Sequence, residues 1–134
     1  EMITNPKKMT PRDAKVLIGA GYRPGNSTDY VATLFAKAYG IKTVVNLSNI
    51  DKVYDKDPRK FDDAKPLDKI SWPDFQAMVG DKWVPGANVP FDPVATKMAI
   101  ELGLKVVVMN GNNLPNLESF LAGEKFEGTV IGGE

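Results

Sequence analysis

The chain of 134 residues contains no cysteine and no histidine. The first absence excludes disulfides, thiolate metal sites and cysteine nucleophiles. The second removes the commonest general base near neutral pH and the usual zinc ligand. Excess charge of either sign is missing too: Lys+Arg and Asp+Glu are both 17, so the formal net charge is zero and no basic surplus marks a nucleic-acid surface. Apolar runs extend only a few residues, too short for a membrane span or the core of a signal peptide. The expectation is a cytoplasmic protein with no nucleic-acid and no membrane partner. Its chemistry must run on carboxylates, lysines, hydroxyls and backbone dipoles.

What is present is globular in character, with 43% hydrophobic and 25% charged residues over a length that suits one domain. Residues 1–14, EMITNPKKMTPRDA, are polar and read as a lead-in to a domain over 15–134. KVLIGAG (15–21) has the make-up of a buried strand running into a tight loop, and IKTVVNLS (41–48) that of a second. Between them Ser27 or Thr28 can cap a helix whose Val31, Leu34, Phe35 and Ala38 share one face and which Gly40 can stop. Strand, helix and strand over residues 15–48 make a βαβ unit, which implies a parallel sheet.

Further on, Ser71 with Pro73 and Asp74 opens a short helix, and Asp92 with Pro93 opens another that Gly103 stops. DKWVPGANVP (81–90) is a Pro/Gly-rich connection of a length that points to function or a packed insertion. LKVVVMN (104–110) is apolar and β-branched enough for burial on both faces. A helix over 116–122 and a strand GTVI (128–131) complete an α/β domain with a mainly parallel sheet flanked by helices.

In open parallel sheets ligands gather at the carboxyl ends of strands. GYRPGNSTD, after the first strand, offers glycines for close backbone approach, a donor fork at Arg23, and a helix start at Ser27 and Thr28 whose free N–H groups suit an anion. It is equally a turn with an ordinary cap, since it lacks the ending of a Walker loop. NLSNIDKVYDKDPRKFDD (46–63) spaces Ser48, Asn49, Tyr54 and Asp57 so that an aromatic face and polar groups can wrap a ribose and base. The alternative is a solvated charged loop turning at Asp57-Pro58. Asp29 and Asp92 stand at helix starts, where capping is the usual role; two such carboxylates can also converge on a cleft and orient a magnesium ion or a lysine. Lys97, one turn beyond Asp92, can neutralise phosphate or stay solvated, and NGNN (110–113) reads as a turn.

Taken in order, GYRPGNSTDYVA, KTVVNLSNIDKVYDKDPRKFDDAKPL, FDPVATKMA and KVVVMNGNNLPNL with GTVI resemble the C-terminal half of a uridylate (UMP) kinase of the amino-acid-kinase family, nearest its archaeal branch. The resemblance spans residues 15–131. Its V-Y-x-x-D-P segment belongs to the superfamily, and the NSTD loop narrows it to uridylate kinases. It implies UMP against Gly21, Tyr22, Arg23, Pro24, Gly25, Asn26, Ser27 and Thr28, and the adenosine of ATP against Ser48, Asn49, Tyr54 and Asp57. It also implies Asp29 and Asp92 as catalytic residues facing the transfer centre, a requirement for ATP and Mg2+ without a metal site of the protein's own, and a hexamer for the complete protein.

Two positions depart from the family pattern: Lys52 stands where glycine is usual and Ser48 where threonine is commoner. The family's glycine-rich phosphate loop and lysine do not occur before Lys15, and Glu1 is no natural start. The chain is therefore expected to be a half-molecule that binds nucleotide weakly and catalyses poorly or not at all alone. Another kinase of the superfamily, acting on acetylglutamate, aspartate or carbamate, and a non-catalytic nucleotide-binding module are the alternatives. The kinase reading carries the expectation that loops leaving neighbouring strands meet over a single groove.

Overall fold

A computed structural model of the chain describes residues 2–8, 15–80, 82 and 89–133. In chain order its elements are β1 (Met2–Ile3), β2 (Ile18–Gly19), α1 (Thr28–Tyr39), β3 (Thr43–Ser48), β4 (Val53–Tyr54), β5 (Pro66–Leu67) and β6 (Lys69–Ile70). They continue with α2 (Trp72–Val79), α3 (Pro93–Leu102), β7 (Lys105–Asn110), α4 (Leu114–Leu121) and β8 (Thr129–Ile131). The central sheet has the order β3-β7-β8-β6, in which β3–β7 and β6–β8 are parallel and β7–β8 antiparallel. This is the mainly parallel α/β architecture expected.

The helices start and stop where local chemistry directs. Ser27 Oγ accepts from the Tyr30 N–H at 3.1 Å, and Gly40 ends α1 in the left-handed region at φ 65°. Ser71 and Asp74 bond reciprocally at the start of α2, while Asp92 caps α3 and Gly103 closes it at φ 60°. The core forms where Phe75 of α2 and Phe91, Ala95 and Ala99 around α3 meet Val106, Val108 and Ile131 of the sheet. Val106 through Met109 are wholly buried because β7 has a strand on each side and covered faces.

Three expectations change. KVLIGAG is not a buried strand of a βαβ unit with β3: only Ile18–Gly19 is extended, and it pairs with β1, in a sheet separate from β3. Val16 and Ile18 stay 79% and 64% exposed. A β-branched run confers strand tendency, but burial needs a covering layer, and none of the described elements supplies one. Within the segment expected as a lead-in, Met2–Ile3 is the partner strand. Secondly, the charged segment that follows β3 is not continuous loop. It contains the antiparallel β4–β5 pair, Val53 opposite Leu67 and Tyr54 opposite Pro66, strands too short to leave a periodic signal. Thirdly, α4 begins at Leu114 rather than 116, because Asn113 Oδ1 accepts from the Asn116 N–H and caps it. The connection 81–90 lies mostly outside the described residues. Among the described residues no helix is long and apolar enough to cross a membrane.

Candidate functional site

The polar segment after β3 is pinned from beneath. Val53 of β4 is fully buried, and its N–H donates to Thr129 Oγ1 at 2.8 Å. The same hydroxyl donates to the Leu67 carbonyl, so one β8 threonine fastens both arms of the β4–β5 hairpin. Above that anchor, Asp55 Oδ1 accepts from the Lys65 N–H at 2.8 Å, and the Asp57-Pro58 turn closes with the Lys60 and Phe61 N–H groups donating to the Asp57 carbonyl at 3.0 and 3.1 Å.

The four sequence-predicted positions Ser48, Asn49, Tyr54 and Asp57 line one cavity of about 400 Å³. That volume lies in the range of small-molecule sites. Its wall also includes Arg59 from the same turn, Met78 and Val79 from the end of α2, and Val89 and Pro90. The Asp57 carboxylate accepts from Arg59 three times: from the backbone N–H at 3.0 Å, Nε at 3.1 Å and Nη2 at 3.3 Å. Those side-chain bonds, then the backbone bond, hold its carboxyl below the ordinary carboxylate range.

Lys52 occupies its family-glycine position without strain, since only glycines have positive φ among the described residues. Its Nζ pairs with Asp68 Oδ1 at 2.6 Å across the hairpin base. NGNN is the turn expected, and Asn110 Nδ2 adds a 2.8 Å bond to Asp51 that ties the end of β7 to the cavity loop.

The first loop behaves differently. Gly21 and Thr28 line a second cavity, about 460 Å³, whose other walls are mostly apolar, among them Ile3, Leu17, Phe35 and Ile41. Tyr22 lies between cations, with the Arg23 guanidinium 4.8 Å and Lys7 Nζ 5.8 Å from its ring centre. Pro24, Gly25 (φ 81°) and Asn26 form a turn, closed by the Asn26 N–H on the Arg23 carbonyl, and Ser27 is the α1 cap. Among the described residues the two loops therefore line separate cavities and not the single groove expected, and β2 and β3 are not neighbours in one sheet.

The segment 90–92 bridges the two regions. Asn46 of β3 donates from Nδ2 to the Pro90 carbonyl at 2.8 Å, and the Asp92 N–H donates to Asp29 Oδ2 at 2.9 Å. Asp29 and Asp92 are thus neighbours on unequal terms, and neither lines either cavity. Asp92 is buried, and its Oδ1 accepts from the Val94 and Ala95 N–H groups as the α3 cap. Asp29 is half-buried; burial pushes its carboxyl above the ordinary value, the Asp92 N–H opposes this, and the Asp92 charge adds to it. Among the described residues no group of three or more acidic side chains is placed to hold a metal ion. Pro90 belongs to the connection singled out for its length, whereas Arg59, Met78 and Val79 carried no expected role. Only Arg59 had a local signal, a cation two residues past an aspartate at an Asp-Pro turn.

Comparison with known proteins agrees with the resemblance. The model of the amino acid kinase family matches residues 10–110. A uridylate kinase from Staphylothermus marinus is 36% identical over 117 residues, covering 87% of this chain and 52% of that protein. One from Methanospirillum hungatei is 34% identical over 118 residues, covering 87% and 50%. The crystal structure of uridylate kinase from Archaeoglobus fulgidus superposes with a TM-score of 0.73 at 30% identity, covering 88% of this chain and 52% of that one. The chain spans about half the length of the curated relatives it matches.

Proposed function

The chain belongs to the amino acid kinase family, and on that premise we propose that it is the ATP-adenosine-holding portion of a uridylate kinase. The complete enzyme would move the γ-phosphoryl group of ATP onto the phosphate of UMP, giving UDP, in pyrimidine nucleotide biosynthesis in the cytoplasm. The observation that carries this reading is the meeting of Ser48, Asn49, Tyr54 and Asp57, separated by up to nine positions of chain, on one cavity in a protein whose relatives are uridylate kinases.

Phosphoryl transfer asks a protein for positioning and charge stabilisation rather than covalent chemistry. The acceptor phosphate is already an anion and needs no strong base, which suits a chain without histidine or cysteine. In this reading the Tyr54 ring gives the base an apolar face, while Ser48, Asn49 and Asp57 take its polar edge and the ribose. UMP lies against residues 21–28. Asp92 acts through its cap and Asp29 through the Asp92 N–H, so together they hold the starts of α1 and α3 in fixed relation beside the transfer centre.

Magnesium ions favour one or two carboxylates plus phosphate oxygens and water. The second oxygen of Asp29 is the protein group here that fits such a role, with Mg2+ neutralising phosphate charge when bound. Residues 15–134 then form the nucleotide-binding domain. The exposed apolar Val16 and Ile18 form a surface for the remainder of the kinase to cover, and the complete protein assembles as a hexamer.

Titrating the 134-residue chain with ATP and UMP, followed by amide NMR, tests the assignment. ATP is expected to shift Ser48, Asn49, Tyr54 and Asp57, and UMP to shift residues 21–28. Shifts confined to other regions, or UMP-dependent ADP formation by this chain at ordinary kinase rates, would refute the division of labour proposed.

A further inference from the structure

Arg59 carries no expected role within NLSNIDKVYDKDPRKFDD, yet it holds the one acidic side chain that the described residues place on the wall of the cavity. An ionised carboxylate offers about four lone-pair sites, two on each oxygen. Arg59 fills three of them on Asp57: its backbone N–H and Nε both reach Oδ1, and Nη2 reaches Oδ2. The turn enforces this arrangement. Pro58 has a fixed φ, and the Lys60 and Phe61 N–H groups hold the Asp57 carbonyl, so the Arg59 backbone donor sits within reach of Oδ1. The Arg59 side chain is 70% exposed and the Asp57 side chain 28%. An ion pair so exposed adds little to fold stability. Its visible consequence is the orientation of the carboxylate at the cavity wall.

Resting on the reading of this cavity as the adenosine site, we propose that Arg59 is a positioning residue for nucleoside recognition, fixing Asp57 so that a single Oδ2 lone pair remains to accept one hydrogen bond from the ligand. Two consequences separate this role from the alternatives. Asp57 cannot take both hydroxyls of a ribose diol at once, so its discrimination falls on one donor group of the nucleoside. Arg59 acts through Asp57 rather than by touching phosphate, so its loss weakens adenosine and ATP alike.

The test is a binding series on the 134-residue chain by amide NMR titration, with adenosine, 2′-deoxyadenosine, 3′-deoxyadenosine, inosine and ATP as probes. The proteins are the unsubstituted chain, Arg59→Met, Arg59→Lys, Asp57→Asn and the double variant Asp57→Asn/Arg59→Met. One analogue alone should lose affinity on the unsubstituted chain through Asp57. Arg59→Met should weaken adenosine and ATP equally, by roughly tenfold, the scale of one hydrogen bond to a charged group. It should also flatten the discrimination among analogues, with Arg59→Lys recovering part of each. The double variant should bind no more weakly than Asp57→Asn, and thermal midpoints should stay together across the set.

A loss confined to ATP would make Arg59 a phosphate contact and overturn the proposal. Additive losses in the double variant, or unchanged affinity in Arg59→Met, would overturn it as well. If adenosine leaves Ser48, Tyr54 and Asp57 unmoved even on the unsubstituted chain, the adenosine-site reading falls and takes this inference with it.

Discussion

Two stretches of nearly the same composition meet opposite fates in this protein. In KVVVM of β7 every residue after the lysine is fully buried, whereas KVLIG before and within β2 leaves Val16 and Ile18 largely in solvent. Both are short, β-branched and flanked by lysine on the left. The difference is in their neighbours. β7 pairs with β3 over six residues and with β8 on its other edge, and α3 covers a face; β2 has two residues of β1. Apolar composition gives a segment the tendency to extend and something to gain from burial, but the surroundings decide whether the gain is realised.

The sharpest way to break this comparison is to place a charge in each strand. Val108→Asp should unfold the domain or cost more than about 4 kcal/mol, because an unpaired carboxylate at a fully buried position finds no partner. Ile18→Asp should stay within about 0.5 kcal/mol of the parent, as ordinary surface changes do. Chemical denaturation followed by circular dichroism measures both; equal losses would mean that the β2 region is as essential to the fold as β7.

A smaller effect sharpens the same contrast through two glycines. A Cβ at Gly132 would lie 2.0 Å from Trp72 Nε1, at a backbone φ of 67° that disfavours any side chain. Gly132→Ala should therefore cost on the order of 3 kcal/mol. It should also break the 3.0 Å bond from Trp72 Nε1 to the Leu104 carbonyl, read as a shift of Trp72 emission in a Trp83→Phe background. A Cβ at Gly19 would meet the Phe35 ring at 2.5 Å, a worse clash than ordinary contact allows. Phe35 is only half-buried and faces a cavity, however, so it can swing aside. Gly19→Ala should cost less than about 1 kcal/mol.

The smallest effect lies at the joint between the regions, where α1 meets α3 through Asp29. Burial raises the Asp29 carboxyl above its ordinary value of 3.8. The folded state then keeps the proton to higher pH than the unfolded chain does. Stability consequently falls as pH climbs from about the ordinary carboxylate value through the folded one, and the ionised form remains a burden at neutral pH. Asp29→Asn keeps an oxygen for the Asp92 N–H and removes that burden. Its thermal midpoint should match or slightly exceed the parent's at neutral pH and lose this part of the pH dependence, while any turnover of the complete kinase collapses. A marked drop in midpoint at neutral pH would show that the charge on Asp29 stabilises the joint.

Much of the site could be read before any coordinates. The Asp92-Pro93 and Ser71 helix starts, the Gly40 and Gly103 stops and the grouping of Ser48, Asn49, Tyr54 and Asp57 all depend on contacts only a few residues apart in sequence, or on a motif in which spacing is fixed. What escaped has a common physical cause. Met78, Val79 and Pro90 reach the cavity from elements distant in the chain, and β4, β5 and β6 are two-residue strands whose pairing leaves no period to detect. Lys52 in a glycine position looked like a defect in the motif. It proved an ordinary residue, because the backbone there never enters the left-handed region and Asp68 receives its charge.

By itself the sequence determined the helices α1, α2 and α3 with their caps and the long strands β3 and β7, which rest on side-chain chemistry acting over a few residues, and its ordered motifs marked the family to which the chain belongs. Only the tertiary structure decided that β2 would pair with β1 and not β3, that the loops would open into two cavities, and that Asp92 would turn inward as a cap while its N–H binds Asp29. Those outcomes depend on which surfaces find a complementary neighbour across the fold, and no local pattern of residues carries that information.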